Sequence, residues 1–222
     1  VYSVTDICSY FLKDLKVITL CSDYMLIGCY SFIFVLTGFA FQGFYAGIEE
    51  TRVHMVVTIT SNVLNIYLNA GLIYGSVKIQ QYFTDLGIPW LALLWNWLPF
   101  PSWGVKGAAV ATLIASIWMV VHYSFFLLET RIKRYRTNGY EFIIKNIIQQ
   151  IKLGFPIGIQ EMVSMTGFSI FYKIIGIIGT IELAASHVIL NIAHASFMPA
   201  IGIGMAASTL IGKFLGEKSP DK

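Results

Sequence analysis

Five apolar stretches, each long enough to cross a bilayer core of about 20 helical residues, dominate this chain and leave little room for any other fold. They lie at about 23–46, 55–74, 104–128, 151–178 and 183–214. Composition agrees, with 56% apolar residues, 12% charged residues and a mean hydropathy of +0.70, far above the range of water-soluble domains. The chain therefore reads as an all-α, polytopic membrane helix bundle. The last two stretches exceed the minimum length, which predicts tilt, a kink or a lead-in turn, with Pro156 and Pro199 as the kink sites.

The apolar stretches are not uniform. Gly43, Gly47, Gly71, Gly75, Gly104, Gly107, Ala108 and Ala109 permit close backbone approach, and Asn62, Asn65 and Asn69 place amides at membrane depth. Unpaired polar groups are costly there, so these helices are expected to pack around something polar rather than face lipid.

Loop charge gives an orientation, because Lys and Arg are retained on the cytoplasmic side. With the Glu129–Lys152 connection inside, the inner loops hold Arg52, Arg131, Lys133, Arg134, Arg136, Lys145, Lys152, Lys213, Lys218 and Lys222. The outer side holds only Lys13, Lys16, Lys78 and Lys106. The net charge of +3 is thus a topology signal, and no basic soluble face suggests a nucleic-acid partner. The outer segment 77–103 concentrates Trp90, Trp95, Trp97 and Trp103 among Pro89, Pro99 and Pro101. It reads either as an interfacial hairpin anchored by indoles or as an aromatic lid.

Cys8, Cys21 and Cys29 have no metal-like spacing and an odd count, and they read as apolar fillers. The chain starts with Val1, and Asp6, Lys13, Asp14 and Lys16 interrupt its first apolar run, so no cleavable signal is evident and a piece of a longer protein is expected. No HExxH, GxSxG or Cys/His cluster supports an enzyme, and no GxxxxGK[ST] loop supports a nucleotide-driven pump.

A resemblance sharpens the reading. The segments QGFYAGIEETR, SNVLNIYLNAGLIYG and GVKGAAVAT, followed by GFPIGIQE, the Gly179-Thr180 turn, AASHVILN and FMPAIGIGMAASTLIGKFLG, together resemble the multidrug and toxic compound extrusion (MATE) family in order and spacing. The resemblance implies twelve helices in two six-helix lobes, of which this chain would supply the fourth to the eighth. Residues 1–128 would end the N-terminal lobe, 129–150 would form the cytoplasmic link, and 151–222 would begin the C-terminal lobe. It further implies a cation-coupled (H⁺ or Na⁺) antiporter that exports organic, often cationic, compounds by alternating access. Such a protein needs no cofactor, is no enzyme, has membrane lipid and a small organic cation as partners, works as a monomer, and sits in a bacterial inner membrane. A lipid-linked oligosaccharide flippase of the same superfamily is the alternative, followed by a membrane-embedded enzyme.

Intramembrane ionisable residues are the first candidates for coupling. Glu161 follows Pro156 by about a turn and a half and suits a proton or Na⁺ role, or a solvated position beside Lys152. In the family the acidic residue stands where this chain has Ser164, and a glutamine stands where it has His187, which titrates near neutrality. Asn191 continues that stripe and His194 extends it. In the first lobe Asn65 and Asn69 share a helix face at i and i+4 and resemble an amide and carboxylate pair, with Thr112 supplying a neighbouring hydroxyl. Asn69 does not titrate, so hydrogen bonding or ligation remains and protonation does not. Interhelical hydrogen bonding explains each of these amides equally well.

Overall fold

The computed structural model describes residues 2–11, 15–96, 99–129 and 144–216. Its regular structure is helical throughout: α1 (Tyr2–Phe11), α2 (Leu15–Gly47), α3 (Thr51–Asp85), the short α4 (Pro89–Ala92) continued by a 3₁₀ turn at Leu93–Trp95, α5 (Val105–Leu127), α6 (Ile144–Ile178) and α7 (Thr180–Gly216). Five of these, α2, α3, α5, α6 and α7, are long and apolar enough to cross a membrane. The chain is an integral membrane protein with an all-α bundle architecture. Three of the five helices, α2, α3 and α6, run well past the apolar stretches, because a helix continues through the interface wherever no breaker stops it. The Lys and Arg residues at 13, 131, 133, 134, 136, 218 and 222, and Trp97, lie outside the described residues.

The chain divides into two compact units, 1–137 and 138–222. In the first, α5 is the central helix, packed against both α2 and α3, with α1 against α2. Small residues on α5 make this contact close. Gly107, Ala109, Ala111, Ala115 and Ser116 are buried, and Gly107 sits directly on the backbone of Leu72. Gly38 of α2 likewise accommodates the Met119 side chain. Gly43 and Gly47, by contrast, meet no described neighbour within 4 Å. At one end of the unit Tyr45, Val53, Val57 and Tyr123 form the most buried apolar cluster. Tyr45 and Tyr123 stack at 5.5 Å, and the Tyr45 hydroxyl donates to the Tyr123 carbonyl at 2.9 Å. An exposed ion pair, Lys106 Nζ to Asp23 Oδ2 at 3.1 Å, joins α5 to α2 and adds little in water.

The break in α3 is at Gly75 (φ 78°, ψ 154°), not at a proline. That region of backbone space is essentially restricted to glycine. In an unbroken helix the Ser76 N–H would donate to the Leu72 carbonyl. Here Ser76 N–H donates to Phe100 O at 3.2 Å, Leu72 O accepts Trp103 N–H at 2.8 Å, and Ile73 O accepts Gly104 N–H at 3.3 Å. The Ser76 hydroxyl completes the exchange by accepting from Phe100 N–H at 2.8 Å. The returning segment 99–104 therefore replaces the bonds the break removes, and Phe100 lies over Gly71.

The described indoles of the Trp-rich segment differ in their surroundings. Trp95 is buried, stacked on Tyr67 at 5.1 Å and Phe83 at 5.9 Å, with Nε1 donating to Tyr67 O at 3.0 Å. It is a packing residue of the segment that connects α3 to α5. Trp90 and Trp103 are exposed, as interfacial indoles would be.

In the second unit α6 and α7 form an antiparallel pair joined by the single residue Gly179. Pro156 and Pro199 lie inside α6 and α7, which continue through them. Neither helix has a buried residue. Contacts between them include Tyr172 on His187 and Phe168 beside His194.

Glycine substitutions test this packing. A Cβ at Gly107 would stand 2.6 Å from the Leu72 carbonyl carbon, and one at Gly75 would force a strained backbone 3.2 Å from Ser102. Gly107→Ala and Gly75→Ala should each cost about 1–3 kcal/mol, read as a lowered melting temperature in detergent, while Gly43→Ala should leave it unchanged or slightly raised. Tyr45→Phe removes one buried hydrogen bond and should destabilise by about 1 kcal/mol in the same assay.

Candidate functional site

One face of α3 is polar along most of its membrane length: His54, Thr58, Ser61, Asn62, Asn65 and Asn69 recur at three- and four-residue intervals. Lipid would penalise such a stripe, and the fold turns it toward α2 and α5. The space between the three helices is a cavity of about 370 Å³. Its polar lining is Gln42 from α2, His54, Thr58, Ser61, Asn62 and Asn65 from α3, and Thr112, Ser116 and Tyr123 from α5. Val35, Gly38, Phe39, Ala115 and Met119 supply apolar wall.

Of the sequence-predicted residues, Asn65 and Thr112 line this cavity, and Asn69 lies outside its lining, one turn along α3 from Asn65. Asn69 Nδ2 donates to Asn65 Oδ1 at 2.8 Å, which fixes both amides. Thr112 Oγ1 donates to Ala108 O at 3.0 Å, and Ser116 Oγ donates to Thr112 O at 2.8 Å. Both hydroxyls thus spend their protons on their own helix and leave oxygen lone pairs toward the cavity. Asn69 Oδ1 and Ser61 Oγ are buried and have no hydrogen-bond partner among the described residues. The lining holds no carboxylate and presents hydroxyl and amide oxygens beside the amide N–H groups of Gln42, Asn62 and Asn65, an arrangement suited to a polar ligand.

At one end of the cavity His54 Nδ1 and the Tyr123 hydroxyl lie 2.5 Å apart, with Thr58 Oγ1 at 3.5 Å from the same nitrogen. His122 lies outside the cavity lining and bonds Thr60 Oγ1 at 3.0 Å, so it ties α5 to α3 as well as lying near the end of its helix. Gln42, His54, Thr58, Ser61, Ser116 and Tyr123 had escaped the sequence reading. The periodicity of polar residues along α3 is the signal that finds five of the lining positions at once.

In the second unit Ser164 lines a shallow groove of about 330 Å³ with Gly167, Phe168 and Phe171 of α6 and Leu190 of α7. His187 stacks on Tyr172 at 4.4 Å. Glu161 and Asn191 are exposed on α6 and α7, as is Lys173. The spacing of His187 and His194 puts both against α6, with Asn191 between them along α7.

Comparisons with known proteins agree with this frame. The MatE family model matches residues 2–70 and 156–222. The chain is 28% identical over 176 residues to a "Probable multidrug resistance protein NorM" of Thermotoga maritima, covering 79% of this chain and 33% of that protein. It is 29% identical over 180 residues to the "Multidrug resistance protein NorM" of Burkholderia vietnamiensis, covering 81% and 34%. A NorM of Agrobacterium fabrum is 23% identical over 223 residues, covering 97% and 43%. The chain thus spans a third to under half of the length of these relatives. No solved structure matches it. Since the two matched stretches together take in more than half of the residues, and take them from both units, the chain belongs to the MatE family.

Proposed function

We propose that the whole protein is a cation-coupled antiporter that exports organic, often cationic, compounds by alternating access. The observation that carries this reading is the polar, carboxylate-free cavity inside an otherwise apolar three-helix packing. A bundle that served only as scaffold would have no use for an uncharged polar seam with two unpartnered buried oxygens. The names of the relatives, multidrug resistance proteins, support the substrate class.

In this reading residues 1–128 end the N-terminal lobe, 129–150 form a cytoplasmic link, and 151–222 begin the C-terminal lobe. The separate family matches at 2–70 and 156–222 support a repeat of two lobes. The protein lies in a bacterial inner membrane. Asn65, Asn69 and Thr112 offer substrate or coupling ion a fixed set of oxygens, and none of the three exchanges a proton. Proton or Na⁺ exchange falls to Glu161, with Ser164, His187 and Asn191 on the same helix pair. Na⁺ suits the oxygen donors of both sets, since hard cations take carboxylate, amide and hydroxyl oxygen.

The test is efflux of a fluorescent organic cation from proteoliposomes holding the whole protein, under separately imposed Na⁺ and H⁺ gradients. Wild type should respond to one of the two, which names the coupling ion. Glu161→Gln should abolish the gradient-driven part. Asn65→Ala strips the Asn69 amide of its acceptor and should lower efflux by about tenfold, the equivalent of about 1.4 kcal/mol. Absence of efflux under either gradient would remove the antiporter reading.

A further inference from the structure

Sulfur gathers where α1 meets α2. Cys8 is 2% exposed, and its Sγ lies 3.1 Å from Cys21 Sγ and 3.6 Å from Met25 Sδ. Cys21 and Met25 are i and i+4 on α2, so both point from one face of that helix toward the same atom of α1. All three cysteines are free, and Cys29 is exposed and apart from this group. Beside the sulfurs, Thr5 Oγ1 and Ser22 Oγ lie within 3.1 Å and pin α1 to α2. The helices are therefore registered so that a thiol from one enters between a thiol and a thioether of the other. None of these residues lines the cavity between α2, α3 and α5.

We infer that Cys8, Cys21 and Met25 form a three-sulfur site for a soft monovalent cation, Cu(I). Donor type selects the ion, because thiolate and thioether ligands favour soft cations and offer nothing to Na⁺ or Mg²⁺. Zn²⁺ takes four nitrogen, sulfur or oxygen donors in a tetrahedron, and among the described residues no three His, Cys, Asp or Glu side chains come together. A trigonal set with metal–sulfur bonds of about 2.3 Å separates its sulfurs by about 4 Å. The present 3.1 and 3.6 Å separations are less than an ångström short of that, a change within reach of thiol rotation and the unbranched Met25 side chain. With no metal bound, the Cys8 thiol donates a hydrogen bond to Cys21. Cu(I) would replace that proton, so affinity rises with pH.

Competition against bicinchoninate, run without oxygen on purified reduced protein in detergent, tests the site. Wild type should withdraw one Cu(I) per chain, more tightly as pH is raised from 6 to about 8. Cys8→Ser and Cys21→Ser should each weaken binding by about 100-fold, Met25→Leu by about tenfold, and Cys29→Ser not at all. X-ray absorption on the wild-type complex should show three sulfurs at about 2.3 Å, a readout that needs no variant to fold. Failure to withdraw Cu(I), a nitrogen or oxygen shell in the absorption spectrum, or binding equally strong in folded Cys8→Ser and Cys21→Ser would each overturn the site. So would a Cys8–Cys21 disulfide in air from protein that, once reduced, takes up no Cu(I).

Discussion

Everything in the first unit depends on how the backbone groups freed at Gly75 are satisfied. A buried, unpaired N–H or C=O is costly, so a helix breaks inside a packed bundle only where another segment takes over its hydrogen bonds. Residues 99–104 do so, pairing with Leu72, Ile73 and Ser76. That pairing fixes where α5 begins, because Gly104, one of the paired residues, is also its N-terminal cap, with φ 57°. It thereby sets the register of Gly107 on Leu72 and of every α5 residue below it. Thr112 and Ser116 face the cavity because of a bond made outside it.

The same constraint explains the cavity's chemistry. Apolar packing alone cannot hold membrane helices together, since lipid solvates apolar side chains as well as a neighbouring helix does. Small residues on α5 bring the backbones close, and the α3 stripe supplies polar groups that prefer a protein neighbour to lipid. The Asn65–Asn69 bond and the Thr112 and Ser116 back-bonds satisfy donors first. What remains is a polar, carboxylate-free lining of hydroxyls, amides and one imidazole.

Legibility in the sequence followed physical range. The five membrane helices were readable because hydropathy over about 20 residues is a local property. Their ends were not, since Asp85 and Ile144 lie in polar sequence that a continuing helix simply carries along. Asn65, Asn69 and Thr112 were readable through family likeness, whereas His54, Thr58 and Ser61 needed only the periodicity of one face. Gly75 read as one more small packing residue, because the segment that makes its break tolerable lies some 25 residues further on. The approach of Cys8 to Cys21 and Met25 was not legible for the same reason. Spacing rules for metal sites assume ligands on one loop or helix, and Cys8 meets Cys21 only after the chain reverses between α1 and α2.

The second unit shows the complementary case. α6 and α7 touch each other through Tyr172, His187, Phe168 and His194, yet bury no residue. Exposed Ile, Phe and Met side chains along both helices are acceptable to lipid. Glu161, Ser164 and Asn191 are not, since a carboxylate or an amide in hydrocarbon costs more than a helix pair of this kind can offset. The polar face of this pair therefore requires either protein or a water-filled space against it, and the apolar face requires lipid or further helices.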